Sequence, residues 1–132
     1  MEKKETYKEM MRKFSSKKIL VIGDFCLDEY IHGEAEEMSP EYLVPWTFVT
    51  KKEYIPGAAG NITCGFNALG AEVYAVGVIG DDINGKILVD EMSGRGINVS
   101  GMVLSKTRKT STYSRLVSGG KGRPKQHIAR YD

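Results

Sequence analysis

A chain of 132 residues with 41% hydrophobic and 27% charged side chains has material for one hydrophobic core and too little for two. Its 19 basic and 17 acidic side chains leave a formal net charge of +2, which by itself demands neither nucleic acid nor an anionic membrane as partner. No run approaches the ~20 apolar residues of a membrane span, and the charged start Met1-Glu2-Lys3-Lys4-Glu5 has no apolar segment behind it, so a cytoplasmic protein is expected.

In chain order, Tyr7, Met10, Met11 and Phe14 recur at helical spacing and predict an amphipathic helix from about Lys4 to Ser15, an added outer element within residues 1–16. Ile19-Leu20-Val21-Ile22 is a continuous apolar run that stops at Gly23-Asp24, as expected of a strand buried on both faces, with ligands gathering at its carboxyl end. Leu27 to Gly33 and Trp46 to Ile55 mix aromatic and polar residues and read as exposed or edge strands. Ala58, Ile62, Phe66 and Leu69 would line one face of a helix ending at Leu69-Gly70, and Val73 to Ile79 would be a second core strand. Ile83, Ile87, Leu88 and Met92 define the next helix, with Asp82 as its N-cap and Gly94 or Gly96 near its end. Val99 to Leu104, Ser111 to Val117 and Gln126 to Tyr131 complete the chain as strands, the last two joined by a hairpin turn at Ser118-Gly119-Gly120-Lys121-Gly122. Strand, helix, strand, helix favours an α/β domain with a parallel sheet covered on both faces.

Charge is unevenly distributed along this order. Residues 19–50 contain no Lys or Arg and carry Asp24, Asp28, Glu29, Glu34, Glu36, Glu37 and Glu41, whereas Lys106 to Arg130 is basic throughout. Cys26 and Cys64 lie far apart in apolar surroundings, which predicts reduced thiols rather than a disulfide.

The chemistry-bearing stretch is Pro56-Gly57-Ala58-Ala59-Gly60-Asn61, small side chains directly ahead of a helix. A ligand can approach such a backbone closely, and a helix start offers unpaired N–H donors with a partial positive charge. Asp24 and Asp28 follow the first core strand, where carboxylates can accept hydrogen bonds from sugar or polyol hydroxyls, or serve only as a turn residue and its solvated neighbour. Asn61 is either a capping residue or a ligand contact. Gly80-Asp81-Asp82 reads mainly as the turn into a helix. The Ser118 to Gly122 loop lacks the spacing of a phosphate-binding loop and has no helix after it. His32 and His127 stand at no metal-ligand spacing, so no metal site is expected. Tyr113 and Tyr131 in the basic tail form no stacking motif, so no nucleic acid is expected either.

Gly57-Ala58-Ala59-Gly60-Asn61-x-Thr63, then Gly70 and Gly80, closely resembles the first signature of the ribokinase-like (phosphofructokinase B type) carbohydrate kinases. Gly23-Asp24-x-x-Leu27-Asp28-x-Tyr30-x-x-Gly33, Ser39-Pro40-Glu41, Gly80-x-Asp82-x-x-Gly85 and Thr110-x-Thr112-x-x-Arg115 extend the likeness toward the subgroup that phosphorylates heptose 7-phosphate. The resemblance covers residues 17–132. It implies part of a ribokinase-like parallel sheet flanked by helices, with a small β lid from residues 28–55 and 110–131, whose opposite charges would suit their pairing.

It further implies that Asp24, Asp28, Gly57, Ala58, Ala59 and Asn61 border the sugar, that Arg115 and Arg130 meet any substrate phosphate, and that the lid joins a homodimer. A complete enzyme of this kind would use ATP and Mg²⁺. The family's second signature, Gly-Ala-Gly-Asp, with its catalytic aspartate, does not occur in these residues. This chain alone is therefore expected to bind ATP poorly and not to turn over, and a separate C-terminal half is one way the activity would be completed. The alternative is a non-catalytic sugar-binding or dimerisation module. Three positions depart from the heptose-kinase pattern: Glu37 and Tyr113 replace an arginine and a lysine, and Gly-Ala-Ala-Gly-Asn replaces Gly-Gly-Ala-Ala-Asn.

Overall fold

The computed structural model describes residues 2–132, with side chains from Thr6 onward. Helix α1 (Glu2–Phe14) leads into strand β1 (Lys18–Ile22), long strands β2 (Phe25–Met38) and β3 (Pro45–Ala58), and helix α2 (Ala59–Ala68). Strand β4 (Glu72–Gly80), helix α3 (Ile83–Ser93) and strands β5 (Asn98–Ser105), β6 (Thr112–Gly119) and β7 (Gln126–Tyr131) follow. The chain forms two compact units, residues 1–27 with 56–111 and residues 28–55 with 112–132.

The first unit holds a three-stranded sheet in the order β1-β4-β5, parallel throughout, with Leu20 level with Tyr74 and Val78 level with Val103. Parallel neighbours require crossover connections, which α2 and α3 supply; α2 packs on β1 and β4, and α3 on β4 and β5. Alternation along β4 then sends Val73, Ala75 and Ile79 to the helix side, where each is buried. Phe25 fills the space among Gly77, Gly60 and the Met92 side chain; a Cβ on Gly77 would stand 2.5 Å from the Phe25 ring.

Three sequence expectations need correction. Leu27 to Gly33 was expected as an exposed or edge strand, yet β2 lies between β3 and β6, and Leu27 and Ile31 are buried because both its edges are paired. The β1 run was expected to be buried on both faces, yet Leu20 and Ile22 are 58% and 72% exposed, and Val78 and Val103 share their side of the sheet and are exposed too. Both crossover helices occupy the opposite side. The expected apolar stripe of α2 is also not its buried face. Gly60 and Thr63 are buried while Ile62 is 56% exposed, because small residues let the helix backbone sit close to the sheet.

The second unit is a four-stranded sheet in the order β3-β2-β6-β7. Strands β6 and β7 are antiparallel, with Arg115 opposite Arg130 and Ser114 opposite Tyr131. On the other side of β2, Glu29 meets Lys52 and the His32 carbonyl meets Thr50, so partner numbers fall along β3 as they rise along β2. Gly33 sits where any side chain would overlap Thr47 and the Phe48 carbonyl. Both β2 and β3 run longer than the sequence pattern implied, because their polar ends are paired in the sheet rather than released into loops. Cys26 is buried and Cys64 half-buried, neither in a disulfide, and burial pushes the Cys64 thiol up from its ordinary value.

Candidate functional site

Two helices in the first unit begin at glycine-containing turns, and the turns are built differently. At α3, Asp82 is the N-cap: its Oδ1 accepts the Gly85 N–H at 2.8 Å and its Oδ2 accepts the Thr110 N–H at 2.9 Å. Thr110 is buried, and its hydroxyl lies 3.0 Å from the Gly80 N–H it accepts from. Partial burial pushes the Asp82 carboxyl up, but the Thr110 and Gly85 amides outweigh it and hold the group below the usual aspartate value. The Asp82 carboxylate and the Thr110 hydroxyl are thus engaged by amides of the chain itself, as a turn that fixes the fold requires.

At α2 the cap position is Ala58, not Asn61, and it contributes no side-chain hydrogen bond. Ala58 has φ 49° and ψ −121°, near the roughly (+60°, −120°) of the first central residue of a type II′ turn, a conformation that glycine adopts freely and alanine does not. Its chain neighbours hold it there. Pro56 and Gly57 are buried; the Ala59 N–H donates to the Asp24 carbonyl at 3.0 Å; and Gly60 is packed so that a Cβ would stand 2.8 Å from the Pro56 Cβ. Pro56 and Gly60 are therefore a matched pair.

Asp24 and Asn61 are both exposed, and neither side chain has a partner among the described residues. The Asp24 backbone clamps the turn, so its carboxylate leaves the chain at the foot of α2. A helix start with no capping side chain, small residues and two unpaired polar side chains can present N–H donors, a carboxylate and an amide to a polyhydroxylated molecule.

The second unit joins the acidic and basic segments through specific side-chain pairs. Asp28 Oδ1 accepts from Arg115 Nη1 at 2.7 Å, with both side chains largely shielded. The Arg115 guanidinium stands 5.1 Å from the Tyr30 ring centroid, and that of Arg130 stands 5.3 Å from the Tyr113 centroid. Arg130 also pairs with Asp132, at 3.0 and 3.2 Å. The bond to Asp28 raises the Arg115 pKa further. Since Arg115 and Arg130 are cross-strand partners, two guanidinium groups lie side by side on one face, each backed by a tyrosine and matched by one carboxylate. The aromatic partners escaped the sequence analysis, although the alternation of Tyr113 and Arg115 along β6 carried the signal.

On the opposite face Glu29 accepts from Ser114 at 2.7 Å and from Lys52 at 3.0 Å. Burial pushes the Glu29 carboxyl up, while these two donors bring it below its ordinary value. His32 hydrogen-bonds Glu53 at 2.9 Å. Among the described residues no group of three or more His, Cys, Asp or Glu side chains is placed to hold a metal, and no helix is long and apolar enough to cross a membrane.

A βαβαβ unit with a glycine-rich turn ahead of its first crossover helix, attached to a small β sheet, defines an α/β sugar-kinase fold. The chain belongs to the pfkB family of carbohydrate kinases, whose family model matches residues 16–126. Among curated proteins it is similar to Bifunctional protein HldE of Helicobacter pylori strain J99, 40% identical over 116 residues that make up 88% of this chain and 24% of that protein. Bifunctional protein HldE of Geobacter sulfurreducens is 42% identical over 113 residues, 86% of this chain and 22% of that protein. The chain thus spans about a quarter of the length of these curated relatives.

Among solved structures, a carbohydrate kinase from Agrobacterium tumefaciens shares the fold with a TM-score of 0.65 at 21% identity, over 87% of this chain and 34% of that one. An uncharacterized sugar kinase from Pyrococcus horikoshii in complex with ATP matches with a TM-score of 0.53 at 22% identity, over 86% of this chain and 33% of that one.

Proposed function

We propose that this chain is the sugar-binding N-terminal part of an ATP-dependent carbohydrate kinase, a phosphotransferase with an alcohol group as acceptor, and that its sugar is a heptose 7-phosphate. The observation that carries the proposal is the uncapped start of α2, clamped through Ala59 to the Asp24 backbone and left with the free Asp24 carboxylate and Asn61 amide. In this role Asp24 and Asn61 orient hydroxyls, and Gly57, Ala58 and Ala59 let the ligand reach the backbone. The likeness to the HldE proteins supports a heptose as substrate.

Within the second unit, Arg115 and Arg130 supply paired donors suited to a phosphate monoester, and Asp28 positions Arg115. ATP with Mg²⁺ would supply the transferred phosphoryl group. The residues do not fit that pair: no metal-holding cluster occurs among the described residues and no Gly-Ala-Gly-Asp segment in the sequence, so no step of the transfer is assigned to them. Its own contribution is orientation and charge placement around the acceptor, which supply a large share of the acceleration in phosphoryl transfer.

The uncovered apolar side of the parallel sheet, with Leu20, Ile22, Val78 and Val103, supports completion of the kinase by a further C-terminal part. Binding of a heptose 7-phosphate to the 132-residue chain, followed by calorimetry, should weaken about tenfold or more in Asp24→Asn. Equal affinity in the variant would refute the assignment. No sugar-dependent ADP release is expected from the chain on its own, and sustained turnover would contradict the placement of the catalytic base elsewhere.

A second reading, a dimerisation module, is favoured by one observation: in the second unit Tyr42, Trp46 and Phe48 are exposed and Leu43 is 96% exposed. Sedimentation as a dimer at micromolar concentration is expected on that reading, and a monomer at high concentration would exclude it.

A further inference from the structure

We infer that the second unit carries a binding site for a basic α-amino acid, in a cavity of about 400 Å³ lined by the last residues of β2, the first of β3 and the β6–β7 connection. The cavity gathers two features that the sugar-binding reading leaves unused. Glu37, the acid that stands where the heptose-kinase pattern has an arginine, lines it, and so do Ser118, Gly119 and Gly120 of the glycine-rich loop that is no phosphate loop. Its volume falls within the roughly 300–1,000 Å³ of small-molecule sites.

Three charged side chains line it, Glu36, Glu37 and Arg123, and none of them has a hydrogen-bond or ion-pair partner among the described residues. All three are exposed and so open to a solute. Opposite charges thus share one cavity without closing on each other. Arg123 is held by its own segment: its N–H donates to the Gly120 carbonyl at 2.9 Å, and its stem lies along Gly120, where a Cβ would stand 3.4 Å from the Arg123 Cδ. Gly119 is packed so that a Cβ would stand 2.8 Å from the Pro124 carbonyl oxygen. Ser118 is fully buried, and its hydroxyl serves as acceptor, from Thr47 at 3.5 Å, which leaves its own proton unused among the described residues.

Two carboxylates against one guanidinium make the lining net negative, which disfavours a phosphate and suits a ligand with two cationic groups and one anionic group. Met38, Pro45 and Ile128 complete the lining and suit an aliphatic stem between those groups. A basic α-amino acid has this pattern: its carboxylate meets the Arg123 fork, its two ammonium groups meet Glu36 and Glu37, and its methylenes meet the apolar residues.

The test titrates the 132-residue chain with L-lysine, with cadaverine, which lacks the carboxylate, and with L-norleucine, which lacks the second ammonium, followed by backbone amide NMR. L-lysine should shift the amides of Gly119, Gly120 and Arg123 saturably, with a Kd of about 1 mM or tighter, and the other two should bind about tenfold more weakly. Arg123→Gln should weaken L-lysine about tenfold and leave cadaverine unchanged, whereas Glu37→Gln should weaken both. Glu34→Gln, on the same strand but outside the cavity, should change neither. Absence of saturable shifts, L-lysine binding no tighter than cadaverine, or equal losses in Glu34→Gln and Glu37→Gln would overturn the inference.

Discussion

The starts of α2 and α3 lie in one compact unit, each directly follows a strand, and each is glycine-rich, yet they solve the same problem in opposite ways. At α3 the orphan amides are satisfied by the chain itself, through Asp82, and the turn is tied to Thr110 across 28 residues of sequence. At α2 no side chain caps the helix, the cap residue is strained, and the polar groups nearby face outward. A strained residue costs roughly 1–3 kcal/mol and a missing cap about 1 kcal/mol, so the α2 turn is the poorer solution for stability. Stability accounts for the α3 turn, whereas the α2 turn is the one we propose meets the sugar. The two turns share glycines and aspartates and are told apart by where the hydrogen bonds go.

Substitutions can break that contrast from either side. The largest effect is expected at Gly85, where an added Cβ would overlap the Gly80 carbonyl and stand 2.8 Å from the Thr110 hydroxyl. Gly85→Ala should destabilise by about 3 kcal/mol in urea unfolding, despite alanine's better helix propensity. Next, Asp82→Ala removes the cap and the tie to Thr110 together and should cost about 2 kcal/mol. A loss within experimental error in either variant would mean that the α3 turn is not the structural one.

Acid sharpens the same point. The folded-state pKa of Asp82 is lowered, so its contribution to stability is present above the ordinary aspartate range and is lost as pH falls through the folded value. The stability difference between the unaltered chain and Asp82→Ala should thus shrink as pH falls below about 4. A difference that stayed constant well below pH ~4 would disprove the charge-assisted cap. The smallest effect, with the opposite sign, is at the other turn: Ala58→Gly should stabilise by about 1 kcal/mol, and a destabilised variant would contradict the strain assigned there.

How much of this was legible beforehand follows from which interactions are local. Apolar runs and turn residues fixed the order of strands and helices, and Asp82 was readable as a cap because capping depends on residues three apart. The parallel sheet followed from the alternation of elements. Coverage of its two faces did not, since nothing in Ile19-Leu20-Val21-Ile22 tells which face the crossover helices will take. The buried face of α2 was misjudged because periodicity weighs large apolar residues, whereas close packing selected Gly60 and Thr63. At the candidate site, the turn and Asp24 stood out by composition. The strain at Ala58 depends on a backbone angle that the residue type conceals, and the Asp28–Arg115 bond joins positions 87 apart in sequence.

The most direct test of the contrast is a backbone amide NMR titration of the 132-residue chain with a heptose 7-phosphate. The account predicts chemical-shift changes concentrated at Gly57, Ala59, Gly60 and Asn61, with Asp82 to Lys86 unmoved. Shifts centred on the α3 turn, or spread equally over both, would contradict it.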